Sequence, residues 1–265
     1  MEENLTEQQT NESTNNTKKQ SVCNDVVNWK AVIIFLIGII GLSFLYSFIL
    51  LAAFMSVENY DLFNALANKT EFNKINGAMQ FLTYVFGFCI AYKIIGERAI
   101  KKIFSKYKEF TVYTRGVVYG FILLAAQSVY SIVITIITGP VDANQNQNAL
   151  IELAKASPLF MGITTVILAP FFEEITYRYS LFGVVHKKSR ILAYAITILV
   201  FGLIHFDFGC FESVEKMKVE LLNLPAYLIS GGILCYAYEK EDSLICSITA
   251  HATNNFIAFA QILFL

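Results

Sequence analysis

Glu173, Glu174 and Arg178 lie in a run of sequence that is otherwise apolar from Pro158 to Val185. A charge at that depth in a hydrocarbon layer costs several kcal/mol unless it is paired or faces a polar cavity, so such residues are read first as functional. On a helix, positions i and i+4 share a face, whereas neighbours point about 100° apart. Glu174 and Arg178 are therefore expected to meet as an ion pair in the favoured Glu-before-Arg order. Glu173 points elsewhere and is left free. Two imidazoles sit in similar surroundings, in Phe201-Gly202-Leu203-Ile204-His205 and in His251-Ala252-Thr253-Asn254-Asn255. A free carboxylate and two histidines in a water-poor setting could move protons to and from a water molecule, or could ligate a metal ion.

The helices that must carry these residues are legible in the composition. Hydrophobic residues make up 55% of the 265-residue chain, and several stretches exceed the roughly 18 apolar residues that a membrane span needs. The expected fold is an all-α, polytopic membrane protein with about seven spans. They run roughly over 30–55, 75–96, 115–138, 159–185, 191–208, 221–238 and 244–265. The third ends at Gly139-Pro140. The polar segment 141–157 carries Leu150, Leu153 and Ala154 at helical spacing and is expected to form an eighth, interfacial or re-entrant, helix. With the N-terminus inside, fourteen Lys and Arg fall on the cytoplasmic side and five outside, Arg178 being set aside as intramembrane. This bias places the N-terminus in the cytoplasm and the C-terminus outside.

Depth along the spans gives a test of whether the polar groups can meet. At about 1.5 Å per residue, counted from the cytoplasmic ends of their helices, Glu173 lies about 18 Å in, His205 about 21 Å, His251 about 11 Å and Asn255 about 17 Å. All fall in one slab of a core roughly 30 Å thick. Taken singly, an intramembrane His or Asn is as often interhelical hydrogen-bonding glue. Pro170 loosens the turn before Glu173, as a water pocket or as an ordinary kink.

The remainder of the chain is less informative. Residues 1–28 are polar and read as a disordered cytoplasmic tail, without the apolar core of a signal peptide. Their Asn-x-Ser/Thr triplets at Asn4, Asn11 and Asn15 are expected by chance in so Asn-rich a segment. Residues 29–140 hold the first three spans and 141–265 the remaining four, with no repeat and no soluble second domain. Five dispersed cysteines without CxxC spacing read as buried hydrophobes. A net charge of −1 and the lack of a basic, aromatic-interleaved patch give no sign of nucleic-acid binding. The bilayer and a membrane-associated substrate are the expected partners.

Glu173-Glu174-x-x-x-Arg178, Phe201-x-x-x-His205 and His251-x-x-x-Asn255 together resemble the three signature motifs of the CPBP family, the CAAX proteases and bacteriocin-processing enzymes. The resemblance covers about residues 145–265. It implies an intramembrane endopeptidase in which Glu173 activates water with His205 as partner, and His251 and Asn255 form an oxyanion hole. Glu174, Arg178 and Phe201 organise the site, and no cofactor is required. Three alternatives remain open. A zinc protease would use Glu173, His205 and His251 as ligands; a bacteriocin-immunity or regulatory protein would only pack these groups; a transporter would use them as an ion path.

Overall fold

A computed structural model of the chain describes residues 28–55 and 68–264. The tail, its Asn-x-Ser/Thr triplets and Cys23 lie outside the described residues. Among those described, every regular element is helical. The main helices are α1 (Trp29–Ala52), α2 (Lys69–Ile95), α3 (Phe110–Thr138), α4 (Gln145–Ala156), α5 (Pro158–His186), α6 (Arg190–Leu203), α7 (Val214–Glu241) and α8 (Leu244–Phe264). The chain is a polytopic all-α membrane protein.

A helix stands in each of the seven expected spans, and these helices are of two kinds. Among the described residues five, α1, α2, α3, α5 and α7, are long and apolar enough to cross a membrane. Helix α6 has 14 residues, about 21 Å of rise. Helix α8 has 21 residues, but His251, Asn254 and Asn255 in its middle lower its apolarity.

Two expectations are corrected. The fifth span does not run to Phe208: α6 ends at Leu203, and His205 stands in the turn beyond it. The apolar run continues, but the backbone of Asp207 donates its N–H to Glu220 on α7 and so leaves the helical path. Helix α4 does not lie on the membrane surface by its apolar face. Leu153 and Ala154 are buried with Met161 and Phe259, so α4 packs onto α2, α5 and α8.

Helix α5 occupies the centre, touching α1, α2, α6, α7 and α8. Its backbone is irregular where the charges lie. The segments Thr164–Leu168 and Ile175–Phe182 are π-helical and flank Ala169–Glu174, which contains Pro170. A proline ring clashes with the carbonyl four residues back, and a widened π turn relieves that clash without ending the helix.

Helix α8 is held against α3 by close backbone approach. Gly116 and Gly120 lie one turn apart on α3; a Cβ on Gly116 would sit 2.8 Å from the carbonyl oxygen of Cys246, and one on Gly120 2.8 Å from that of Ala250. This is the small-x-x-x-small contact by which membrane helices gain packing that lipid cannot supply. It fixes the helix that bears His251. Replacing Gly120 by Leu is expected to force α8 outward at a cost of about 1–3 kcal/mol, whereas Val118→Leu on the exposed side of α3 should be neutral. Thermal unfolding of both variants in detergent checks this; an unchanged midpoint for Gly120→Leu would contradict it.

Candidate active site

The expected ion pair forms. Arg178 Nη1 donates to Glu174 Oε1 at 2.9 Å, and both side chains are fully buried. Arg178 Nη2 also donates to the carbonyl of Gly231 on α7, and its guanidinium lies 4.6 Å from the centre of the Phe201 ring. One arginine thus ties α5 to α7 and α6.

Glu174 has a second partner that sequence reasoning missed. The same Oε1 is 2.9 Å from His251 Nδ1, 77 positions away along the chain. A carboxylate on Nδ1 sets the plane of the ring and leaves Nε2 for chemistry. That Nε2 faces Glu173, at 4.0 Å from Oε2. Oε2 is buried and has no hydrogen-bond partner within the protein. At that separation a direct hydrogen bond is not made, but one water molecule can bridge the two groups.

His205 and Asn255 are positioned by local backbone. His205 Nδ1 pairs with the carbonyl of Phe201 at 2.7 Å, rather than with Glu173, and the ring stacks on Tyr227 with centroids 4.6 Å apart. Phe201 touches both imidazoles, with centroid distances of 4.9 Å to His205 and 6.1 Å to His251. Asn255 donates its amide to the carbonyl of Thr165 at 2.9 Å, inside the first π segment of α5. The irregular backbone before Pro170 thereby anchors an amide of α8.

A buried carboxylate outside the motifs holds the turn that carries His205. Glu220 accepts the backbone N–H groups of Asp207 and of Gln145, the first residue of α4. Asn144 caps α4 through Gln147 N and accepts the hydroxyl of Tyr227. Asn followed three residues on by Gln is a capping-box spacing, so this start was readable. The partnership with Glu220 was not.

Glu173, Phe201, His205, His251, Asn254 and Asn255 all line one cavity of about 440 Å³, closed on one side by α4. The four residues expected to share a depth do share this space. A zinc ion would need Glu173, His205 and His251 to converge. Among the described residues no three His, Cys, Asp or Glu side chains stand close enough together to hold a metal ion.

The comparisons with known proteins bear on this half of the chain. Residues 155–257 match the family described as type II CAAX prenyl endopeptidase Rce1-like. This similarity, over less than half of the chain, supports the resemblance to the CPBP family. The membrane-embedded CAAX protease MroQ of Staphylococcus aureus is 31% identical over 153 residues, which cover 54% of this chain and 56% of that protein. The putative membrane peptidase YdiL of Bacillus subtilis is 26% identical over 144 residues, 54% of this chain and 53% of its own. The UPF0177 protein YvdC of Lactococcus lactis is 25% identical over 135 residues, 51% and 48%. The chain spans about half the length of these curated relatives. No solved structure matches the chain.

The buried pair gives a stability test. Arg178→Met leaves Glu174 without its cation and is expected to cost about 3–5 kcal/mol. Adding Glu174→Leu removes the stranded charge and should recover part of that loss. Unfolding of the two variants in mixed micelles measures this; a double variant no more stable than the single one would show that the pair is not coupled.

Proposed function

We propose that the chain is an intramembrane endopeptidase that hydrolyses a peptide bond in a membrane-associated protein or peptide, with water activated by Glu173. The observation that carries the reading is the partner-free Glu173 carboxylate oxygen facing the Nε2 of a histidine whose other nitrogen is held by a buried carboxylate. The family match over residues 155–257 supports it, as do relatives named as a CAAX protease and a membrane peptidase.

In the proposed mechanism a water bridging Glu173 and His251 gives its proton to Glu173 as its oxygen attacks the substrate carbonyl. The carbonyl oxygen becomes an oxyanion, which His251 Nε2 and the remaining amide hydrogen of Asn255 stabilise. Donors fixed in advance at such a position are a large source of rate acceleration. In this role His251 carries a proton on Nε2 while its Nδ1 faces Glu174. The tetrahedral intermediate collapses as its C–N bond breaks and Glu173 passes the proton to the leaving amine, while His205, oriented by Phe201 and Tyr227, positions the substrate. The protein acts in a bacterial cell membrane with its N-terminus in the cytoplasm.

Glu173→Gln keeps the size of the side chain and removes the base. Cleavage by the purified protein is expected to fall about 10²–10⁴-fold with no loss of thermal stability, and to withstand a chelator in the wild type. Full activity of Glu173→Gln would overturn the glutamate role. Loss of wild-type activity on chelation, with recovery on adding zinc, would favour the metal-dependent alternative.

A further inference from the structure

Resting on the proteolytic reading, we infer the substrate class that the cavity takes: an uncharged, extended stretch of peptide that carries no isoprenoid chain. The wall around Glu173 and the imidazoles is rich in carboxamides, with Gln80 on α2, Gln127 on α3, Gln147 on α4, Asn223 on α7 and Asn254 on α8. These come from five different helices, so they surround the space. Among the described residues that line it there is no Lys, Arg or Asp.

A carboxamide offers acceptor and donors side by side, and an extended main chain presents the same alternation of C=O and N–H. The Oδ1 of Asn254 is buried and accepts no hydrogen bond from the protein. A peptide N–H from an occupant satisfies it. The apolar part of the wall, around Leu150 and Phe259, suits an aliphatic side chain of that peptide.

Other occupants fit worse. An isoprenoid chain would leave carboxamide atoms without a protein partner, such as Asn254 Oδ1, with nothing to pair, and each polar group so stranded costs about 1–3 kcal/mol. An acidic residue beside the scissile bond would face Glu173 without a compensating cation. A basic one would find Glu173 as its sole carboxylate partner in the lining, and that pairing would occupy the base.

The test uses the full chain in detergent micelles and a mixture of short peptides randomised over neutral residues. Each peptide contains one cysteine, either S-methylated or S-farnesylated, and parallel sets carry Lys or Glu near that cysteine. Products are quantified by mass spectrometry. The S-methylated neutral set is expected to be cut with a kcat/KM about tenfold or more above the farnesylated set and above both charged sets. Gln127→Leu combined with Gln147→Leu should narrow the gap to the farnesylated set. Faster cleavage of farnesylated peptides, abolished by Glu173→Gln, would overturn the substrate class and leave the protease standing. If folded wild type cut no set, the proteolytic reading would fall and this inference with it.

Discussion

The oxygen Oε1 of Glu174, shared between Arg178 and His251, is the contact on which the rest of the structure depends. A carboxylate with no exposure at all is stable only when it is paired and hydrogen-bonded. Arg178 supplies the charge from one turn away, and His251 must come from another helix. That requirement brings α8 against α5 and turns the Nε2 edge of the imidazole toward Glu173. The guanidinium meanwhile reaches α7 through Gly231 and α6 through Phe201. A single desolvated ion pair thus sets the relative positions of four helices and aims the ring on which the proposed chemistry turns.

Getting the backbones close enough is a separate problem. Lipid tails are as apolar as leucine, so burying apolar surface does not by itself bring membrane helices together. Two devices serve here instead. Gly116 and Gly120 let α3 approach the carbonyls of α8, and π turns around Pro170 open the ladder of α5 so that Thr165 can receive the Asn255 amide. The Glu220 contacts play the matching part outside the helices, closing the His205 turn against α4.

What the residues disclosed, and what they hid, follows from the same physics. Glu174 with Arg178 was legible because helical periodicity alone puts them together. The end of α3 was legible because Gly139 precedes Pro140, and Gly139 takes a positive φ of 82°. That Glu173, His205, His251 and Asn255 could meet in one cavity was also readable, since rise per residue is nearly constant in a helix. The hand-off from Glu174 to His251 was not, because rotation of α8 about its own axis is set by glycine contacts rather than by an apolar stripe. The stop at Leu203 was hidden by an apolar run that continues past it; the cause is the Glu220 carboxylate, more than a dozen residues downstream. The Gly-x-x-x-Gly at Gly116 was visible and should have marked α3 as the partner of a later helix.

His251 stands between two glutamates, held by one and facing the other. The chain has three histidines, so the ring nitrogens can be followed by solid-state ¹⁵N NMR of histidine-labelled protein in lipid, with His186→Gln and His205→Gln variants used for assignment. The His251 Nδ1 signal is expected to be that of a nitrogen hydrogen-bonded to a carboxylate and to shift in Glu174→Gln, while its Nε2 signal shifts in Glu173→Gln. A His251 ring indifferent to both substitutions would contradict it.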